Sequence, residues 1–226
     1  YLPKGEGADV LNEVMLRSKE VVAAVREKGV SGLHGDPESV WLWGCGKKPA
    51  LTPFREKFGI EGVTISAVDL IHGIGVAAGL SPLKVPGATG YIDTDYAAKV
   101  RAALQSLQNY DFVYLHVEAP DESGHEGNIE HKTLAIADFD AKVVAPLIEG
   151  LGDTSAIVLI LPDHTTPIEV RTHTSDAVPF VIYAHNCALP PLEAAPVSCY
   201  SESAAAASGL YVDKGWELLS MIIRKG

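Results

Sequence analysis

The stretch Ala156-Ile-Val-Leu-Ile-Leu-Pro-Asp-His164 decides the fold. Apolar residues follow one another from Ala156 to Leu161 without polar alternation, the pattern of a central strand covered on both faces. Pro162 stops the ladder, and Asp163-His164 stand at the strand exit, where α/β proteins place their sites. Outward from this run, Phe112 to Val117 and Val178 to Tyr183 read as further strands, with Gly62 to Ser66, Leu83 to Pro86 and Ser39 to Trp43 before them. Helical spacing falls between the strands. Ala8 to Glu27 carries Val10, Leu11, Val14, Met15, Val21, Val22 and Val25 at three- and four-residue intervals. Thr52 to Lys57, Val68 to Ala78, Asp95 to Leu107 (with Thr94 as N-cap) and Ser201 to Ser208 are also predicted as helices. Glu130 to Ile148 is a longer one, with Ile136, Phe139, Val143 and Leu147 on one stripe and Pro146 kinking its end. In the last helix, Val212 to Arg224, the predicted buried face holds Trp216, Leu219 and Ile223. Strands alternating with helices predict an α/β sandwich. A change of texture near Tyr110 predicts a domain boundary, dividing residues 1–109 from 110–226.

Bulk composition narrows the function. The chain has 226 residues, 47% hydrophobic and 21% charged, enough for one large domain or two smaller ones. Its net charge of −11 argues against nucleic acid or an anionic membrane as main partner. No apolar stretch reaches membrane-span length, and the start shows no signal-peptide pattern. The odd number of cysteines (Cys45, Cys187, Cys199), without knuckle or C-x-x-C spacing, favours a reduced, cytoplasmic setting. An acidic protein that handles an anionic substrate needs a bound cation and a local basic patch.

The cation-binding candidates share one grammar. Asp121 and His125 lie in A-P-D-E-S-G-H-E-G-N after the Phe112 strand, four residues apart, so one helical turn or a tight loop brings both to one ion. Gly124 and Gly127 permit the sharp backbone this needs. Asp163 and His164 follow the Ala156 run in L-P-D-H-T-T-P. His173 lies in R-T-H-T-S-D, shortly before the Val178 strand. Each group alone is weak, since a lone His is usually a satisfied structural residue. Carboxylate and imidazole repeated at three strand ends predict a site for one or two divalent metals.

These motifs, together with W-L-W-G-C-G-K-K-P, I-S-A-V-D-L-I-H-G-I-G and V-P-G-A-T-G-Y-I-D-T-D-Y, closely resemble the archaeal-type cofactor-independent phosphoglycerate mutases of the alkaline phosphatase superfamily. The resemblance implies an alkaline-phosphatase-like α/β sandwich, incomplete because its N-terminal segment is absent, plus part or all of an inserted α/β cap domain. On that basis residues 1–109 are the cap or substrate domain with its linker, and 110–226 the C-terminal part of the metal-binding domain.

Position by position, the resemblance implies that Asp121, His125 and His173 bind one divalent ion, usually manganese, with zinc, magnesium or cobalt as alternatives. Asp163 and His164 would bind a second ion. In the family an Asp from near the N-terminus completes that second site, and a Ser from the same region is the nucleophile in interconverting 2- and 3-phosphoglycerate, a small phosphorylated three-carbon acid. Neither is matched here. Ser123 and Ser175 do not fit the nucleophile motif, so no catalytic residue is assigned, and a C-terminal part lacking mutase turnover is expected. Lys47 and Lys48, on a Gly-flanked turn after Gly44 and Gly46, are candidates to meet a phosphate or carboxylate, as is Arg171. A solvated basic turn explains the two lysines as well. Asp69 and His72 either face the cleft or belong to helix packing, while His34, His116, His131 and His185 read as structural. The rival readings are another phosphotransferase or phosphomonoesterase on the same scaffold, and a noncatalytic metal-stabilised domain. Oligomeric state is not legible.

Overall fold

Elements at residues 62–115 build a parallel sheet with its own crossovers. The computed structural model describes residues 2–29, 37–42, 46–189 and 191–223. The chain forms two units, Tyr1–Pro49 and Ala50–Gly226. In the first, helix α1 (Ala8–Glu27) has the predicted bounds. Only Ala8 and Met15 are buried on it, and Val10 and Val21 are 66% and 62% exposed. Ser18 Oγ accepts the Val40 N–H at 2.8 Å, which ties Val40 to the helix. Residues 39–42 are not a strand, and Trp43 lies outside the described residues.

In the second unit, α2 (Phe54–Phe58) leads into β1 (Gly62–Ile65), α3 (Asp69–Ala77) and β2 (Ser81–Leu83). Then come α4 (Tyr96–Ser106) and β3 (Phe112–Leu115). These strands form a parallel sheet in the order β2-β1-β3, with Val63 opposite Ser81 on one side and Val113 on the other. The chain therefore leaves the middle strand in one direction and returns on its other side. Such a reversal opens a crevice at the carboxyl ends of β1 and β3, the usual ligand position in an open α/β sheet. Beneath it, Val63 and Ile65 pack with Ala103 of α4, and Tyr96 and Val100 pack with Val143.

The sheet pairing crosses the expected 109/110 boundary, because β3 is hydrogen-bonded to β1. What changes near Tyr110 is strand composition, and one sheet spans the change. N-capping of α4 falls to Asp95, whose carboxylate accepts the Ala98 N–H; the Thr94 hydroxyl instead accepts the Thr89 N–H.

Helix α5 (Ala119–Glu126) starts almost directly from β3, and α6 (Ile129–Phe139) follows after Gly127. A π-turn at Asp140–Val144 passes into α7 (Ala145–Gly150), so the irregularity in the long helix lies just before Pro146. β4 (Ala156–Ile160) pairs antiparallel with β5 (Val181–His185) in a separate two-stranded sheet. All five β4 residues are only partly buried, so the doubly covered strand expected from its composition is not seen in these residues. At the C-terminal end, α8 (Glu202–Ser208), a 3-10 turn at Gly215–Glu217 and α9 (Leu218–Ile222) follow. Leu218 and Ile222 are buried there, whereas Trp216 is 72% exposed, because its turn precedes the α-helix and breaks the expected stripe.

Candidate metal centre

Asp121 and His125 occupy successive turns of α5, which puts Nε2 of His125 3.3 Å from Oδ2 of Asp121. Asp121 lies in the first helical turn, where backbone N–H groups favour a negative charge. Gly127 closes the helix in a left-handed conformation (φ 69°). After β4 the backbone doubles back on itself. Thr165 and Thr174 form an isolated antiparallel bridge, and the Thr174 N–H donates to Thr165 O at 3.0 Å. That bridge stacks their chain neighbours, His164 and His173, with ring centroids 3.7 Å apart.

The two segments meet at Asp121. His173 Nε2 lies 3.5 Å and His164 Nδ1 3.9 Å from Asp121 Oδ1, and His125 Nε2 is 3.1 Å from His173 Nε2. Ligand atoms of Asp121, His164 and His173 all fall within 4.8 Å of one another. Asp163 stands apart from this set. Its Oδ2 is 3.5 Å from His164 Nε2, and its Oδ1 accepts the His164 N–H at 3.1 Å.

The donor chemistry fits a cation. His125 Nδ1 is 3.0 Å from the Arg171 carbonyl, which can only accept, so Nδ1 carries the proton. A neutral His125 then presents a lone pair at Nε2. That lone pair faces an oxygen of the Asp121 carboxylate at 3.3 Å, acceptor against acceptor, a pairing that a cation or an added proton reconciles; His173 Nε2, 3.1 Å away, donates or accepts according to its tautomer.

Sequence reasoning missed the groups that brace these ligands. The hydroxyl of Thr166, a 5% exposed residue, donates to Asp121 Oδ1 and lies 3.3 Å from His164 Nδ1. Lys132 on α6 donates to Thr166 O at 2.6 Å; burial lowers its pKa, and Asp121 opposes that shift. Thr166 directly follows D-H-T in the quoted motif, which was the one available clue. His116, at the exit of β3, pairs with Ser66 at 3.2 Å. Burial holds its pKa below the ordinary imidazole value, with Lys99 adding to that effect and Asp163 opposing it. Burial and the neighbouring Glu122 and Asp121 raise the pKa of Glu118.

The remaining candidates separate. Lys47 and Lys48 are exposed, in a segment without regular structure in the first unit, and Gly44 lies outside the described residues, as does His34. Arg171 contributes its carbonyl to His125 from a left-handed backbone (φ 56°), and its guanidinium packs over Gly127. His72 is buried against Thr64 Oγ1 and Ser66 O (3.1 and 3.0 Å), a packing role, and the Asp69 side chain is 94% exposed. Ser123 is fully buried and donates to Ala119 O at 2.7 Å. His131 pairs with Tyr91 and His185 with Gly152 O. Cys187 and Cys199 are free thiols. Among the described residues no helix is long and apolar enough to cross a membrane.

Fold and site define an α/β protein that gathers metal-type ligands at its strand ends. The Metalloenzyme superfamily profile matches residues 20–205, and the chain belongs to that family, whose members bind divalent metal. A Geobacter sulfurreducens protein named "Probable 2,3-bisphosphoglycerate-independent phosphoglycerate mutase" is 49% identical over 99% of this chain and 56% of its own length. The Methanosarcina mazei protein of the corresponding name is 42% identical over the same shares. These are the relatives the sequence motifs lead one to expect, and the chain spans about half the length of each. A solved Pyrococcus horikoshii structure superposes with a TM-score of 0.66 at 28% identity, over 78% of this chain and 47% of that one. The cofactor-independent phosphoglycerate mutase of Thermoplasma acidophilum has a TM-score of 0.56 at 20% identity, covering 95% and 51%, and shares the fold.

Proposed function

We propose that this chain is the metal-holding part of an enzyme that interconverts 2-phosphoglycerate and 3-phosphoglycerate through a phosphoserine. One observation carries the reading: Asp121, His125 and His173 converge, with the His125 Nε2 lone pair aimed at a carboxylate oxygen of Asp121. In this reading those three residues hold one divalent ion, and Asp163 with His164 contributes to a second. Manganese is the proposed metal, with zinc, magnesium and cobalt as alternatives. Divalent ions in such a site lower the pKa of an attacking hydroxyl and balance charge on phosphoryl oxygens. The names of the relatives support the substrate.

This chain's own part is to fix the ligands. Arg171 O holds the His125 tautomer, Thr166 holds one Asp121 oxygen, and Lys132 holds Thr166. Ser123 is sealed by burial and its bond to Ala119 O, and the phosphorylated serine is proposed to lie in the part of the relatives' length that this chain does not span. Lys47, Lys48 and Arg171 are each proposed to meet anionic groups of the substrate. A reduced, cytoplasmic setting accords with the free thiols.

The test is a coupled assay with 3-phosphoglycerate and manganese, run beside a generic phosphomonoester, on a polypeptide that carries this chain within the full length of its relatives. Mutase turnover that disappears on Asp121→Asn is expected. Hydrolysis of the generic ester without mutase turnover would favour a phosphomonoesterase and overturn the substrate assignment. Turnover by residues 1–226 alone would overturn the external serine.

A further inference from the structure

Residues 86–95, between β2 and α4, form a lip that braces itself and touches the metal-site helix. The Asp95 N–H donates to Gly87 O at 2.9 Å, the Thr89 N–H to Thr94 Oγ1 at 3.0 Å, and the Thr89 hydroxyl to Asp93 Oδ1 at 2.5 Å. Two contacts then reach α5. The Tyr91 hydroxyl lies 2.5 Å from Glu126 Oε2 and 2.6 Å from His131 Nδ1. At the other end of α5, Gly90 is so close to Glu118 that a Cβ there would lie 2.6 Å from Oε2. The lip thus meets α5 at its N-cap and in its last turn, on either side of Asp121 and His125.

Under the lip lies Lys99 of α4, only 1% exposed. Its ammonium faces the carbonyls of Thr89, in the lip, and His116, in the β3-to-α5 exit, at 3.5 and 3.3 Å. Burial lowers its pKa, and the Glu118 carboxylate opposes that shift. An apolar side chain of similar size would fill this space without the cost of desolvating a charge. What it would lack is a donor shared between two chain segments. We propose that Lys99 is a positioning residue for the metal centre: by joining Thr89 O to His116 O it sets where β3 passes into α5, and so where Asp121 and His125 stand. This rests on the reading of Asp121, His125 and His173 as metal ligands.

The sign of one measurement separates positioning from plain electrostatics. Removing a cation near a metal site raises metal affinity if charge alone acts, and lowers it if ligand placement acts. Mn²⁺ binding by the 226-residue chain is followed through the electron paramagnetic resonance of free Mn²⁺, with folding checked by circular dichroism. Lys99→Met is expected to weaken binding severalfold, less than the roughly tenfold or more lost when a direct outer partner of a metal ligand is removed, because Lys99 acts through the backbone of His116. Thr94→Val changes no charge but removes the hydroxyl that orients Thr89, and is expected to weaken binding severalfold. It decides the matter if Lys99→Met does not fold. Unchanged or tighter binding by either folded variant would overturn the proposal. No Mn²⁺ binding by the unsubstituted chain would overturn the ligand reading, and this inference with it.

Discussion

Gly124→Ala tests how closely the metal-site helix must approach the loop after β4. A Cβ on Gly124 would lie 2.5 Å from Thr166 O, 2.9 Å from Lys132 Nζ and 3.0 Å from Thr166 Cγ2. The nearest of these is backbone, so a side-chain rotation cannot relieve the clash. Replacing a helical glycine by alanine otherwise gains about 1 kcal/mol, while overpacking a tight contact costs about 1–3 kcal/mol. Gly73 of α3 supplies the control, since a Cβ there meets nothing within 4 Å. Gly73→Ala should therefore stabilise by about 1 kcal/mol. Gly124→Ala should lie about 1–3 kcal/mol below it, a gap of roughly 3–10 °C in the melting temperature of the metal-free chain. Relief of the clash moves α5 away from Thr166, whose hydroxyl holds Asp121, so only Gly124→Ala should also lose Mn²⁺ affinity. Equal melting temperatures and equal affinities in the two variants would refute the reasoning.

Mn²⁺ at one hundred times its dissociation constant should stabilise the 226-residue chain by about 2.7 kcal/mol, and Asp121→Asn should abolish that gain in a thermal melt. Mn²⁺ titration followed by calorimetry should saturate near one ion per chain, with any second site much weaker; two tight equivalent sites would contradict this. His116 makes the metal-free chain acid-sensitive. Burial keeps its folded pKa below the unfolded value, so its contribution is full above about pH 6.5 and is lost as pH falls toward the folded value. Urea midpoints at pH 7.5 and 5.5 should therefore differ less in His116→Gln than in the unsubstituted chain.

Elements defined by local pattern were legible in the sequence. The bounds of α1 agree at both ends, and β1, β3 and β4 each lie within the predicted strand. Strand pairing was less legible, because an apolar run does not state its neighbour. Ala156–Ile160 suits a covered parallel strand, yet its partner is the antiparallel β5. The same limit applies to the site. Asp121, His125, His164 and His173 stand out because few residue types bind metals and they cluster at strand exits. Thr166, Lys132 and Lys99 do not, since threonine and lysine occur in every sequence. Their roles arise from contacts across 45, 34 and 17 residues of chain, which only the fold sets.

The family resemblance divides the proposed ligands into two sets, and in the structure the residues of the two are held unequally. Asp121 has one oxygen held by Thr166, and His125 has its Nδ1 held by Arg171 O. His173 is fixed through the Thr165–Thr174 bridge and its stacking on His164. Each residue of the proposed first set is thus placed by a neighbour, which lowers the ordering cost of binding an ion there. Asp163 is half exposed, and its carboxylate meets the backbone N–H and the ring of its own neighbour, His164. The two sets are nonetheless joined, because the Thr166 hydroxyl lies against both Asp121 and His164. A shift at one set therefore reaches the other through the Thr166 hydroxyl and through the stacked His164 and His173 rings, so the better-held residues can template their neighbours.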